Sequence, residues 1–270
     1  MLNLKKIREK FHPLLFLYSI GPIRYILKKF NFIFYKKSKK FGNYYCKLIQ
    51  HLNLITNEDN YEKDTFEFIL SLDKKIVNDS TFIDIGSNIG LFSFFIEKNF
   101  NSQIISFEPD KENLIINYKT QIKRKSNRIF TIPYGVSNSY GIKSFLLDDV
   151  SGSVGSLKGI TNESQKKLEL DTFIKVPTCK LNMLLNYNFK NINLIKIDIE
   201  GGEVDAINGG IELIKTHLPI LIIETGGSNL EKIKQILGNF GYSHRMIDDT
   251  CSNYCFFNDE KFKINFLNKI

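Results

Sequence analysis

Apolar residues recur at near-helical spacing through "YEKDTFEFILSLDKKIV", at Phe66, Ile69, Leu70 and Ile76, and the polar "NDS" behind them ends the run. "TFIDIG" then reads as a buried strand, "LFSFFIEKN" as a short helix and "SQIISFEPD" as a second strand ending in acids. In "KENLIINYKTQIK", Leu114, Tyr118 and Ile122 mark one helical face. This alternation of strand and helix predicts an α/β fold with a parallel sheet. "RIFTIPYGVS" supplies a third strand and "IKSFLLDD" a small extra one. Residues 150–172 are polar and rich in Gly and Ser, long for a loop inside a compact domain, which makes them a candidate substrate lid. Regular order resumes with "NINLIKIDIEGGE" as strand and turn, "VDAINGGIELIK" as helix, "LPILIIE" as strand, and "SNLEKIKQILGNFG" as a helix closed by Gly241. "YSHRMID" and "NYCFFN", joined by "DTCS", predict a terminal hairpin. No repeat of solenoid period is present.

Charge changes this picture mainly at the N-terminus. The chain of 270 residues carries a net +8, yet residues 1–47 hold 12 Lys and Arg against one acid, a net +11, which leaves −3 for the rest. Residues 1–59 therefore read as a basic, apolar-rich, helical arm, 60–258 as the catalytic domain and 259–270 as a tail. Within residues 11–35, Arg24, Lys28 and Lys29 interrupt the apolar run short of the ~20 residues a spanning helix needs. No A-x-A-like cleavage site follows. Two readings of the arm stay open: a peripheral contact with anionic lipid, or a helical layer on the core with a solvated basic face. Cys46, Cys179, Cys251 and Cys255 are scattered, give no disulfide framework and fit a reducing, cytoplasmic setting, peripheral to the inner face of the membrane if the arm lies on lipid. The Cys251–Cys255 pair alone is no zinc signature.

The chemistry concentrates at "DIGSNIG". A dinucleotide turn needs G-x-G-x-x-G, whereas here Asn88 and Leu91 stand at the second and third glycine positions after Gly86. Glu108 nevertheless follows Gly86 by 22 residues, at the distance where an acid binds ribose hydroxyls. A ribose without a pyrophosphate points to S-adenosylmethionine, with Asp84 and the backbone of residues 86–90 facing its amino-acid end. Downstream, Asp198 and Glu200 stand two apart at the C-terminal end of a predicted parallel strand, where open α/β sheets bind ligands. Either is a candidate general base or acceptor-orienting carboxylate, with Glu224 a secondary one. Glu203 reads instead as a helix N-terminal acid, and His217 as a partner of terminal carbonyls. Asp198, Glu200 and Glu224 are also hard donors for which a divalent metal is possible, and it is left unassigned.

"FIDIGSNIGLFS", "IISFEPDKENL", "LIKIDIEGGEVDAINGG" and "LPILIIET" resemble, in order and spacing, the FkbM family of S-adenosylmethionine-dependent methyltransferases. The resemblance covers about residues 61–257. It implies a Rossmann-like seven-stranded sheet, mostly parallel with an antiparallel last strand, and O-methylation, commonly of sugars in glycans, polysaccharides or glycosylated metabolites. By motif, Asp84, Gly86, Ser87, Asn88, Gly90 and Glu108 would line the cofactor site, with Ser137 and Asn138 near adenine. Leu181–Asn182 departs from the Leu–Asp pair common before strand four, which puts any role of that acid in doubt. The expected acceptor is a saccharide or glycoconjugate. A nucleic-acid substrate is disfavoured by the −3 balance outside the arm and by the lack of an N-P-P-Y-like motif at strand four. A noncatalytic, membrane-associated scaffold in glycan assembly is the alternative.

Overall fold

The computed structural model describes residues 32–48, 50–148, 155–159, 172–189 and 191–262. Its centre is a seven-stranded sheet of β3 (Thr81–Ile85), β4 (Gln103–Phe107), β5 (Ile129–Ile132), β9 (Ile192–Ile197), β10 (Ile220–Glu224), β11 (Tyr242–Asp248) and β12 (Asn253–Asn258). The spatial order is β11-β12-β10-β9-β3-β4-β5. Every pairing from β10 through β5 is parallel, and β12 runs antiparallel to both its neighbours. The protein thus has the α/β, Rossmann-like architecture expected from the strand and helix alternation. The chain works outward from β3 through β5 and then returns to β9 on the other side. This makes the carboxyl ends of β3 and β9 the topological switch point, where such sheets leave a crevice.

Period-2 burial explains why both faces of the sheet are covered. Phe82, Ile104, Leu194, Ile220 and Ile222 pack on one face against α2 (Lys63–Ser71) and α4 (Leu91–Asn99). Ile83, Ile105, Ile195, Leu221 and Ile223 pack on the other against α6 (Glu203–Gly209), α7 (Ile211–His217) and α8 (Gly227–Gly238). Asp110 starts α5 (Lys111–Arg124) by accepting from Glu112 N at 2.8 Å.

Several elements depart from the periodicity. The helix expected from residue 61 to 77 is split into α2 and α3 (Lys74–Val77), because Asp73 caps a new start through Lys75 N. "VDAINGGIELIK" likewise divides at Gly210 into α6 and α7. The helix expected to close at Gly241 ends three residues sooner, at Gly238. The third strand of the sequence becomes β5 plus β6 (Gly135–Val136), which leaves the main sheet to join β8 (Phe173–Cys179) and β7 (Gly141–Leu146).

The stretch expected to be a helical arm forms, where described, a hairpin of β1 (Ile33–Lys36) and β2 (Tyr44–Lys47), followed by the short α1 (Leu52–Thr56). Phe41, Tyr44 and Cys46 are fully buried in the same core as α2 and α4. Lys36 pairs with Glu58 at 2.7 Å and Lys47 with Glu112 at 3.0 Å, so part of the basic run is spent within the fold. The lipid-contact and helical-layer readings of residues 1–31 lie outside the described residues, as do 150–154 and 160–171 of the lid candidate. Among the described residues no helix is long and apolar enough to cross a membrane.

Candidate active site

The turn after β3 is held from two sides. Gly86 N and Ser87 N both donate to Phe107 O, at 3.0 and 2.9 Å, and Asp198 N donates to Ile85 O at 3.0 Å. Gly86 has φ +80, and a Cβ placed on it would lie 1.9 Å from the Asp198 carbonyl oxygen, so the crossing of the two strand ends admits only glycine. Asn88 also sits in the left-handed region, φ +52, where Asn is among the better-tolerated side chains. Its N–H donates to Glu108 Oε2 at 2.8 Å, and Asp110 N donates to Glu108 Oε1 at 2.8 Å. Glu108 is thereby clamped at the lip of a cavity of about 50 Å³, whose walls include Gly86, Asn88, Tyr134, Val136 and Leu157. Burial pushes its carboxyl up to about 8.

Three of the residues expected in the cofactor site stand elsewhere. Asp84 lies beneath the turn, with Oδ2 accepting from Ser93 Oγ at 2.6 Å and Ser93 N at 3.1 Å, so it anchors the start of α4 instead of lining a cavity. Ser137 and Asn138 are likewise off the cavity. Ser137 Oγ accepts from Lys143 at 2.6 Å, and its carbonyl oxygen packs against Gly209, where a Cβ would approach to 2.1 Å. Asn138 Nδ2 donates to Asp205 at 3.3 Å. Tyr134, Gly135 and Val136, just before them, form the wall in their place. Gly90, at φ +95, is the N-cap of α4 and shapes the turn from behind.

Two further cavities open from the same junction. One of about 220 Å³ lies between the turn and the N-terminal segment and is lined by Gln50, His51, Tyr61, Glu62, Ser87 and Asn88 among others. The other, about 920 Å³ and open, runs over the ends of β9 and β10 past Glu200, Glu224, Ser228, Asn229, Lys232 and Thr250. Asp198 lines all three cavities.

The carboxylates at this junction are close together: Asp198, Glu200 and Glu224 each present an oxygen within 4.8 Å of the others. Their counter-charge is Lys196, fully buried at the end of β9, with Nζ 3.3 Å from Asp198 Oδ2 and 5.1 Å from the Phe92 ring centre. Burial pulls Lys196 down, but Asp198, Glu62 and Glu224 together outweigh it and hold the ammonium above its usual range. Burial, then Asp198, push Glu200 up to about 8. Glu224 is raised for the same two reasons, while burial raises Glu62 against the pull of Lys196. Any divalent ion here would share Asp198 with an ammonium, and no metal is assigned. Neither Lys196 nor Glu62 stood out in the sequence reading. The signal for Lys196 was a lone charge inside an otherwise apolar strand.

Glu200 holds φ +52, left-handed for a residue with a side chain, and Gly201 follows at φ +95. Ser156 Oγ donates to Glu200 O at 2.7 Å, and Gly201 N donates to Glu203 Oε1 at 2.6 Å, so the bend is pinned from both sides. Glu203 also accepts from Asn229 at 3.1 Å, a bracing role within the turn. Asn182 Oδ1 accepts from Leu213 N at 3.0 Å. A neutral oxygen meets that need, so the departure from Leu–Asp takes nothing from the cavities. His217 lines none of the three, and its carbonyl accepts from Lys261 at 2.5 Å.

A Rossmann-like sheet in strand order 3-2-1-4-5-7-6, with an acid clamped by backbone N–H groups after its second strand and a carboxylate cluster after its fourth, has the layout of a methyltransferase-type fold. Residues 84–250, more than half of the chain, match the methyltransferase FkbM domain, and the chain belongs to that family. A curated relative, "Methyltransferase 1" of Beauveria bassiana (strain ARSEF 2860), is 24% identical over 148 residues, 49% of this chain and 59% of its own length. The chain therefore spans less than two thirds of that relative. Among solved structures, a methyltransferase FkbM from Methylobacillus flagellatus KT is 19% identical, with TM-score 0.44, over 67% of this chain and 44% of its own. The METTL16 MTase domain is 10% identical, with TM-score 0.47, over 93% of each chain.

Proposed function

We propose that this protein transfers a methyl group from S-adenosylmethionine to a hydroxyl of a saccharide or glycoconjugate. The observation that carries the reading is the meeting of the three cavities at Asp198, one beside Glu108, one beside the N-terminal segment and one open to solvent over the carboxylates. The residues present fit the cofactor. Each Glu108 oxygen accepts one backbone N–H and keeps lone pairs for ribose hydroxyls. Bound there, S-adenosylmethionine would supply an electrophilic methyl.

The chain's own residues then act on the acceptor. A cavity walled by Ser228, Asn229, Lys232, Asp205 and Thr250 offers the mixed donors and acceptors that a hydroxyl-rich ring needs. Asp198, held by Lys196, accepts a hydrogen bond from the reacting hydroxyl and orients it, and Glu200 removes the proton. A carboxylate whose pKa lies near the working pH is the better base.

Calorimetric titration with S-adenosylmethionine and S-adenosylhomocysteine, for wild type and Glu108→Ala, tests the reading, followed by methyl transfer to a panel of free and nucleotide-linked sugars. Saturable binding weakened about tenfold or more by the substitution is expected, as for a lost charge-assisted hydrogen bond. A folded wild-type protein that binds neither compound would sink the proposal and leave a noncatalytic fold.

A further inference from the structure

The cavity against the N-terminal segment holds buried polar atoms that no described residue satisfies. His51 is 7% exposed and Ser87 5% exposed. His51 Nε2, Ser87 Oγ and Gln50 Oε1 are all buried with no hydrogen-bond partner among the described residues. All three residues line this one cavity. A buried polar atom left without a partner is destabilising, so three around one void describe a site shaped for a polar ligand.

The orphans differ in kind, and the difference specifies the ligand. Lys47 N donates to His51 Nδ1 at 3.0 Å. Nδ1 also lies 3.2 Å from Lys47 O, but that oxygen already accepts from His51 N at 3.2 Å whereas the Lys47 N–H can only donate, so Nδ1 is the acceptor and the proton of the neutral ring stands on Nε2, a donor into the cavity. Gln50 Oε1 offers an acceptor only. The Glu62 carboxylate, which accepts from Asn253 Nδ2 at 3.2 Å, lines the same wall. A donor for an anion and acceptors for a cation on the walls of one cavity are the complement of a zwitterionic α-amino acid. The cavity shares Gly86, Asn88 and Asp198 with the one beside Glu108, so a single molecule can lie across the turn with its sugar on one side and its amino-acid end on the other.

We infer that His51 and Gln50, from the segment before the Rossmann-like sheet, hold the α-carboxylate and α-ammonium groups of the cofactor, with Ser87 completing the subsite. This rests on the cofactor reading above and adds to it a pair of residues outside the span that matches the family. It also gives the β1–β2 hairpin a purpose, since Lys47 at its end sets the His51 ring.

The test separates the two halves of the ligand. Affinities of S-adenosylhomocysteine and of 5′-methylthioadenosine, which lacks the amino-acid end, are measured by calorimetry for wild type, His51→Asn, His51→Gln and Gln50→Leu. In His51→Asn the amide replaces the Nδ1 side of the ring and nothing reaches the Nε2 position, whereas Gln restores a donor there. The expected result is a loss of about tenfold or more in S-adenosylhomocysteine affinity for His51→Asn and Gln50→Leu, partial recovery in His51→Gln, and unchanged 5′-methylthioadenosine affinity in all. Parallel losses for both ligands, or no loss for either with the thermal unfolding midpoint preserved, would overturn the assignment while leaving the cofactor reading intact. If wild type binds neither ligand, both fall.

Discussion

Glu200 carries the most demanding role assigned to a single side chain. It stands in left-handed backbone, among other carboxyls, with its pKa pushed up to about 8 by burial and by Asp198. A base must be ionised to work, so methyl transfer at saturating cofactor and acceptor is expected to rise with pH and level off above about 8. Glu200→Gln keeps the shape and should lower kcat by about 10²- to 10⁴-fold, the usual contribution of a general base, and abolish that rise. A variant with the wild-type pH profile would return the role to Asp198 or Glu224. A motif spaced Gly86, Glu108, Asp198 and Glu200 so that their place at the strand ends was legible in the sequence, and the structure puts them on the cavity walls there. Asp84 sat in the motif but serves Ser93, because a buried carboxylate next to a helix start finds backbone and hydroxyl donors before it finds a ligand. His51 and Gln50 were not legible at all. Their meaning depends on a hairpin folding back over the turn, and no local spacing encodes that approach.

At the scale of elements, the β1–β2 hairpin shows where composition misleads. Its lysines dominate a count of charge, yet Phe41 is fully buried, with its ring centre 5.2 Å from Phe66 and 5.9 Å from Tyr44. Arg124 reaches from α5 to Phe41 O at 2.8 Å while pairing with Glu97, tying the hairpin to two helices. "YYCK" carries no period-2 alternation, its burial being unbroken but for Tyr45, and four residues are too few to stand out from a basic, aromatic neighbourhood. The energetic consequence is specific. Phe41→Ala should cost about 3–5 kcal/mol in urea unfolding, as a large aromatic lost from a packed core does. Phe32→Ala, at a site 63% exposed, should stay within about 0.5 kcal/mol. Equal and small effects would mean that the hairpin is an appendage and not part of the domain.

Across the whole molecule, the strand alternation and the terminal hairpin were readable because the central strands β3, β4, β9 and β10 are apolar and almost wholly buried and the strands are bounded by turns. The three-stranded sheet of β6, β8 and β7 was not, since β8 lies beyond the polar insertion and its exposed positions break the apolar run. The junction under this architecture also sets a property of the entire fold. Asp84 is raised to about 6, Glu108 and Glu200 to about 8, and Glu62 and Glu224 also upward, all led by burial. An unfolded chain releases those protons near pH 4 to 4.5, whereas the folded chain keeps them until higher pH. Between these limits the native state binds more protons than the unfolded one, so stability falls as pH rises. The contribution is fully present below about pH 4 and is lost progressively as each folded pKa is passed. The unliganded protein should therefore unfold at a higher temperature at pH 5 than at pH 8.5, and Glu200→Gln, which cannot ionise, should flatten the difference. A midpoint that climbs over the same interval would show that the carboxyls are ionised and paired throughout, and that the junction is built around charge rather than around shared protons.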